Sequence, residues 1–258
     1  MIDIGANLTH PSFEKDLSEV LVRAWNSGIE AIIITGGTLT ESARARELCK
    51  YDSKLYYTCG IHPHEAINHK DFDQENFLAM LHNDRCVALG ECGLDYHRNY
   101  SSPDIQQVLF HQQLSIAKGS SLPLFLHQRN ALDDYLAIIK EHTLCNKLVT
   151  HCFTEGRETL KKLLDIGSYI GITGWLCDKR RNQELLEAIS YIPQDKLLIE
   201  TDAPFLTPDE VKDIDKRNEP SNLIWIVRKI AALRGITNEE LITITTNNSL
   251  KLFDKINL

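Results

Sequence analysis

The feature that most constrains this chain is a series of eight short apolar runs, rich in β-branched residues, that alternate with helical patterns. Each run is almost uniformly apolar, which is typical of parallel strands covered by helices. The runs lie roughly 25–35 residues apart, which matches the repeat of a (β/α)8 barrel of about 250 residues. They cover Ile2–Gly5, Ala31–Thr35, Leu55–Ile61, Cys86–Gly90, Leu122–Leu126, Lys147–Thr150, Tyr169–Thr173 and Lys196–Glu200.

We therefore predict an α/β fold, a TIM (β/α)8 barrel formed as a single domain by residues 1–258. A doubly wound open sheet is the alternative, and it would ordinarily bind a nucleotide through a G-x-G-x-x-G turn. The sequence contains no such turn. The length, the number of runs and the missing phosphate loop together favour the barrel.

Helix signals lie between the runs. Ser12 is expected to cap a helix that ends at Gly28, and Ser102-Pro103 is expected to open another. Near the end of the chain, Thr237-x-x-Glu240 has the pattern of a capping box just after a helix that stops at Gly235.

Composition restricts the class of protein. The chain has 28 Lys and Arg against 36 Asp and Glu, a net charge of −8, and 43% hydrophobic residues. Proteins that coat duplex DNA are usually basic, because counterion release supplies their affinity. The acidic balance argues against that mode, but not against an enzyme that draws a strand end into a metal-bearing cleft.

The cysteines and the first residues bear on location. The seven cysteines are odd in number and form no C-x-x-C pair, which indicates reduced thiols and neither a zinc ribbon nor a disulfide framework. No apolar run approaches the roughly 18 residues that cross a bilayer. The start, Met1–Gly5, lacks the features of a secretory signal. We expect a cytoplasmic protein without a membrane partner.

Polar side chains follow five of the eight runs. The functional groups of a barrel enzyme stand at the C-terminal ends of its strands, so these side chains should meet at one rim. Imidazoles and carboxylates together suit a divalent ion, with Mg²⁺, Mn²⁺ and Zn²⁺ all open. The residues are His62 and His64 after the third run, Glu91 after the fourth, His127 after the fifth, His151 after the sixth and Asp202 after the eighth.

Each of these residues also has an ordinary structural interpretation. His127 and His151 could be hydrogen-bonded core histidines, and Asp202 could be a turn residue. Glu91 is harder to explain in this way, because a carboxylate at the end of a buried strand needs a partner to offset its desolvation. If every one of these residues had only a structural role, several independent explanations would have to hold at once at equivalent positions of the repeat. The grouping of these residues therefore favours a metal site.

Two basic stretches remain open between a solvated loop and a phosphate contact. Asp178-Lys179-Arg180-Arg181 follows the seventh run, and Lys216-Arg217-Asn218-Glu219-Pro220 lies beyond the eighth.

At these residues the sequence resembles the TatD family of metal-dependent deoxyribonucleases, within the amidohydrolase-like superfamily of metal-dependent barrels. The matching motifs run in order along nearly the whole chain. They are Gly60-Ile61-His62-Pro63-His64, Gly90-Glu91-Cys92-Gly93-Leu94-Asp95-Tyr96, Leu126-His127-x-Arg129, His151-Cys152-Phe153-Thr154, Gly171-Ile172-Thr173-Gly174, Ile199-Glu200-Thr201-Asp202-Ala203-Pro204 and Arg217-Asn218-Glu219-Pro220.

The resemblance implies exonucleolytic hydrolysis of DNA phosphodiesters with a divalent metal, commonly Mg²⁺. It makes Glu91, His127, His151 and Asp202 metal ligands or their neighbours, and it places His62 and His64 against substrate phosphate or a second ion. In the resulting hypothesis Asp202 is also the general base, His62 or His64 steadies the phosphate, and Arg129 and Arg217 contact the substrate. We expect a monomer with DNA as its partner.

One stretch departs from the family. Many relatives carry an H-x-H pair after the first strand, whereas this chain has Gly5-Ala6-Asn7. The resemblance then predicts a weaker, exchangeable ion in place of a tightly held binuclear site. Two other functions stay open: a metal-dependent hydrolase of a small ester, amide or lactone, and a non-catalytic binding protein with a relic metal site.

Overall fold

The computed structural model describes residues 1–69, 72–211 and 217–258 and contains one eight-stranded parallel sheet with its strands in chain order. All eight apolar runs form strands, so the predicted TIM barrel is confirmed. The strands are β1 Ile2–Ala6, β2 Ala31–Ile34, β3 Leu55–Cys59, β4 Cys86–Asp95, β5 Leu124–Arg129, β6 Leu148–Thr150, β7 Tyr169–Ile172 and β8 Leu197–Ile199.

Helices separate the strands and cover the outside of the barrel. They are α1 Leu17–Asn26, α2 Leu39–Leu48, α3 Gln74–Leu81, α4 Pro103–Ala117, α5 Leu132–His142, α6 Arg157–Asp165, α7 Gln183–Ala188, α8 Leu223–Arg234 and α9 Asn238–Leu252. Among the residues that the structure describes, none of these helices has the length and apolar character needed to cross a bilayer.

The first and last strands meet through hydrogen bonds at their C-terminal ends. The Asp202 amide donates to the Gly5 carbonyl at 2.8 Å, and the Asn7 amide donates to the Ala203 carbonyl at 2.6 Å. Below these, the buried Asp3 carboxylate accepts from the amide and the hydroxyl of Thr201, at 2.9 and 2.6 Å. Side chains after β1 and after β8 are therefore held next to each other.

The interior of the barrel is apolar at one end and polar at the other. Isoleucines of β1 and β2 pack with Phe125 and with Leu252 and Phe253, which lie at the end of α9. Asn248 of α9 donates to the carbonyls of Gln194 and Leu197, at 2.7 and 2.9 Å, where β8 begins, so α9 covers the N-terminal end of the barrel. The C-terminal end holds the polar side chains.

Most of the predicted helix boundaries are confirmed, and one is wrong. Pro103 opens α4, and the Thr237 hydroxyl accepts from the Glu240 amide at 3.1 Å, as a capping box requires. Ser12, however, does not cap α1. Its amide donates to the His10 ring in a short 3-10 turn, and α1 begins four residues later than expected, at Leu17.

The predicted end of the fourth strand is also wrong. β4 continues past Gly90 to Asp95, and the ladder with β5 is interrupted between Gly90 and Cys92. Gly90 and Gly93 have φ near +141° and +143°, and a Cβ on Gly93 would overlap the carbonyl oxygen of His127. The two glycines let the backbone pass close to β5, so the polar motif forms strand instead of loop.

Candidate metal centre

The centre of the site is a single oxygen atom of Glu91 that faces three imidazoles. Glu91 Oε1 lies 3.2 Å from His62 Nε2, 2.9 Å from His127 Nδ1 and 2.7 Å from His151 Nε2. Glu91 is 7% exposed and His151 is 4% exposed, so this group is largely removed from water.

The strands position these side chains from four directions. Glu91 lies within β4, where its amide donates to the carbonyl of Gly36 at 2.9 Å, and His127 lies within β5. His62 follows β3 and caps a 3-10 turn by accepting from the His64 amide at 3.0 Å. His151 follows β6. The interruption of the β4–β5 ladder beside Glu91 fits its direction into the barrel mouth.

Opposite charges stabilise the buried ionic groups. Burial opposes ionisation of Glu91, but the charges of His151 and His62 hold the pKa of this carboxyl well below its usual value. Burial likewise opposes protonation of His151, yet Glu91 and Glu200 raise its pKa well above the ordinary value. For His62 the effect of burial exceeds the opposing effect of the Glu91 charge, and burial lowers its pKa to about 4.

Three of these residues could hold a metal ion. His62, Glu91 and His127 each offer a ligand atom, and the three atoms lie within 4.8 Å of one another. Two ring nitrogens and a carboxylate oxygen form a donor set that suits a divalent cation. His62, which the resemblance places against substrate phosphate or a second ion, lies in this cluster of possible ligands.

Two buried carboxylates of the site were missed by the sequence reasoning. Asp95 ends β4 and is 1% exposed, with its Oδ2 atom 2.8 Å from His64 Nε2 and 3.3 Å from His127 Nε2. Asp95 therefore holds the Nε2 atoms of His64 and His127 in place. The available signal was its even spacing from Glu91 in one strand, which puts both on one face.

Glu200 supports His151 from the other side. Its Oε2 atom lies 3.3 Å from His151 Nδ1, and its Oε1 atom accepts from the Cys152 amide at 2.5 Å. Glycines at positions 5 and 171 make room for it, because a Cβ on either would lie 2.5 Å from a Glu200 oxygen. A carboxylate that ends an apolar run needs such partners, and that was the available signal.

Asp202 lies beside this cluster and is hydrogen-bonded to Asn7. Asn7 Nδ2 donates to Asp202 Oδ1 at 2.9 Å. Burial raises the pKa of Asp202 to about 7, with the charge of His151 opposing the shift and those of Glu91 and Glu200 adding to it.

The cluster lies at the bottom of a cavity of about 790 Å³. Its wall includes Asn7, Asp95, Asp202 and the Glu91 cluster with its three imidazoles, but not Glu200. Cationic and aromatic side chains complete the wall: Arg98, Tyr100, Arg129, Trp175, Arg181 and Phe205.

A scan against family models identifies the chain. The model described as "TatD related DNase" matches residues 2–254. The chain belongs to the TatD family. The "3′-5′ ssDNA/RNA exonuclease TatD" of Salmonella typhimurium is 39% identical over 259 residues, covering 99% of this chain and 100% of the relative. The protein of that name from Escherichia coli K12 is 40% identical over 258 residues, covering 98% of each.

Solved structures of TatD proteins agree with this assignment. A hydrolase of the TatD family from Entamoeba histolytica has a TM-score of 0.91 at 29% identity, covering 99% of this chain and 98% of that one. A TatD homologue from Escherichia coli has a TM-score of 0.89 at 28% identity, covering 98% of each chain.

The TatD motif that contains Arg217 places this side chain away from the lining of the cavity. Arg217 makes a two-point contact with Asp16, at 2.7 and 2.8 Å, and donates to the Ser12 carbonyl at 2.7 Å. It is not among the described residues that line the cavity. In the structure it ties the segment before α8 to Asp16, the residue that precedes α1. Its neighbour Lys216 lies outside the described residues.

Proposed function

We propose that this TatD protein is a metal-dependent exonuclease that hydrolyses phosphodiester bonds of single-stranded DNA from a 3′ end. The observation that carries the proposal is the carboxylate oxygen of Glu91 surrounded by three imidazoles, in a cavity whose wall also includes three arginines. The relatives named above as 3′-5′ ssDNA/RNA exonucleases support the polarity and make RNA a second substrate.

The residues present fit a divalent cation. Glu91, His62 and His127 would hold it, and His151 would complete the set from its position 2.7 Å from Glu91. Mg²⁺ is the first choice because the family resemblance implies it. Mn²⁺ and Zn²⁺ are the alternatives, because imidazole nitrogens next to a carboxylate oxygen also suit these ions. Such a cation, when bound, polarises a phosphoryl oxygen and lowers the pKa of water.

Asp202 accepts the proton of the attacking water. A general base must lie where it can reach the water, and Asp202 lines the same cavity as Glu91 and the three imidazoles. Asn7 holds one of its oxygens at 2.9 Å and leaves the other for the water. Asn7 therefore acts as a positioning residue at a place where many relatives have a histidine.

His64 and Arg129 contact the substrate. His64 Nε2 faces Asp95 at 2.8 Å, which orients the ring at the cavity wall. Arg129 lines the same wall. A guanidinium suits phosphate because its N–H groups match two phosphate oxygens.

We also propose that the protein acts as a monomer in the cytoplasm. The absence of C-x-x-C pairs among seven cysteines supports a reducing compartment. Light scattering of the purified chain would test the oligomeric state, and a dimer mass would contradict it.

Incubation with end-labelled DNA tests the function. Purified protein with Mg²⁺ should shorten a 5′-labelled single strand one nucleotide at a time and leave small esters, amides and lactones unchanged. Hydrolysis of the small substrates alone would identify a different hydrolase on this barrel. Metal binding without cleavage of any substrate would identify a relic site.

A further inference from the structure

An arginine pair lies against one tryptophan at the rim of the cavity. Trp175 belongs to the turn that follows β7, and its ring centroid is 3.7 Å from the guanidinium carbon of Arg181 and 5.6 Å from that of Arg129. The indole Nε1 also donates to the Arg181 carbonyl at 3.2 Å. All three residues line the cavity that contains the Glu91 cluster.

The hydrogen-bonding groups of the two arginines are largely unused. Arg181 donates only its Nε, to Asp178 Oδ2 at 2.8 Å, and its two Nη groups have no hydrogen-bond partner within residues 1–69, 72–211 and 217–258. Within the same ranges, the guanidinium of Arg129 makes no hydrogen bond or ion pair, and Trp175 is its cation–π partner. Asp178 neutralises part of the charge, but it is shared with Arg180.

This arrangement suits a phosphate diester. Stacking on an aromatic ring covers the face of a guanidinium and leaves its N–H edge free for two-point contact with an anion. The net charge of the chain is −8, so a polyanion must be attracted by local cations. A nucleic acid strand carries a phosphate at every nucleotide. The Glu91 cluster can engage the phosphate that is hydrolysed, which leaves the neighbouring phosphates of the strand for other cations.

We propose that Arg181 and Arg129, held by Trp175, bind a phosphate of the strand adjacent to the one that is hydrolysed. The inference rests on the proposed nuclease function and adds a second phosphate-binding position to it. It makes the protein an enzyme for strands rather than for isolated phosphodiesters.

The chain offers a matched control in the same loop. Arg180 carries the same charge as Arg181 and contacts the same Asp178, at 2.7 Å, but its side chain is 81% exposed. It is not among the described residues that line the cavity. Arg180→Ala and Arg181→Ala therefore change the net charge by the same amount. Arg180→Ala removes a two-point contact with Asp178 and Arg181→Ala a single hydrogen bond, but only Arg181→Ala removes a cavity-lining guanidinium.

The test compares two substrates. KM and kcat are measured for a ten-nucleotide thymidylate strand and for bis(p-nitrophenyl) phosphate, which has a single phosphate. Arg181→Ala should raise KM for the strand about ten-fold, as expected for one charge-assisted hydrogen bond. It should leave kcat/KM for the small diester unchanged, and Arg180→Ala should change neither. Arg181→Met keeps the long stem over Trp175 and should behave as Arg181→Ala does.

A binding measurement separates recognition from turnover. Fluorescence anisotropy of the same strand in EDTA should show a ten-fold weaker complex for Arg181→Ala, and a log–log salt slope smaller by about 0.7. Equal effects of Arg180→Ala and Arg181→Ala, or an equal loss on both substrates, would overturn the second phosphate position. If wild-type protein cleaves no strand at all, the nuclease proposal itself fails.

Discussion

Glu91 is the residue on which the site depends, since one of its oxygens is shared by three imidazoles. Glu91→Ala should lower kcat/KM for single-stranded DNA by more than about a hundred-fold, because even partners of metal ligands cost up to that factor. Circular dichroism should be unchanged, because His151 keeps Glu200 as a partner. Glu65→Ala is the control: Glu65 lines the same cavity but bonds Asn68. Retained nuclease activity in Glu91→Ala would remove the role given to this carboxylate.

Asn7 tests whether Asp202 must be held in place. Asn7→Ala removes the hydrogen bond at 2.9 Å and should lower kcat about ten-fold with little change in KM, because a misplaced base affects the reaction more than binding. Steady-state kinetics on the labelled strand measure both constants. A kcat equal to that of the wild type would mean that Asp202 needs no support from Asn7.

Asp3 should make stability depend on pH. Burial raises the pKa of Asp3 to about 7, with Glu200 adding to the shift and hydrogen bonds from Thr201 opposing it. A carboxyl whose pKa is raised by folding stabilises the fold fully below its unfolded value, about 4, and loses this contribution as pH rises through 7. Relative to the wild type, Asp3→Asn should gain stability between pH 5 and pH 8, by a few kcal/mol at most. Urea unfolding of both proteins checks this, and parallel pH curves would contradict it.

Most of the polar cluster could be predicted from the sequence, because side chains that follow parallel strands share one rim. Asp95 and Glu200 could not be assigned in this way. Asp95 falls after the predicted end of the fourth strand. Glu200 is the last residue of the eighth predicted run, and nothing in that position indicates that it contacts His151. Whether Arg217 contacts the substrate depends on its distance in space from the site. The order of motifs along the chain does not give that distance.

At the level of elements, β4 is the strand that shapes the site. Its glycines at 90 and 93 let it approach β5, and the sequence rules for strands do not anticipate strand structure across a glycine-rich polar motif. The sequence analysis assigns no helix to α2, because its leucines stand only at the two ends, Leu39 and Leu48, and helical periodicity is weak between them.

Gly93 provides a direct test of this strand. Gly93→Ala should destabilise the protein by about 3 kcal/mol or more, because the new Cβ meets the backbone of His127 and φ is near +143°. Gly119→Ala is the matched control, since its Cβ would lie 3.6 Å from its nearest neighbour and φ is not positive. It should change stability by about 0.5 kcal/mol or less. Thermal unfolding of the two variants decides, and equal melting temperatures would contradict the account.

For the whole molecule, the barrel brings together residues that are far apart along the chain. Asn7 and Asp202 meet because β1 and β8 close the sheet, and α9 seals the opposite end with Leu252 and Phe253. The number and spacing of apolar runs predicted this architecture well, since a barrel is a repeat and each repeat leaves the same signal.

A cation that binds the native barrel should stabilise it. At a hundred times its dissociation constant, a ligand adds about 2.7 kcal/mol to the free energy of unfolding, which is several degrees in Tm for a chain of this size. Calorimetry with and without Mg²⁺ or Mn²⁺ measures the shift. The shift should disappear in Glu91→Ala, and a shift that persists there would place the ion elsewhere.

The most direct test is an anomalous scattering map of crystals soaked in Mn²⁺. We predict one strong peak within coordination distance of Glu91 and the ring nitrogens of His62 and His127. Density for an ion at another position, or none in crystals of protein that cleaves DNA with Mn²⁺, would contradict the assignment of the metal centre.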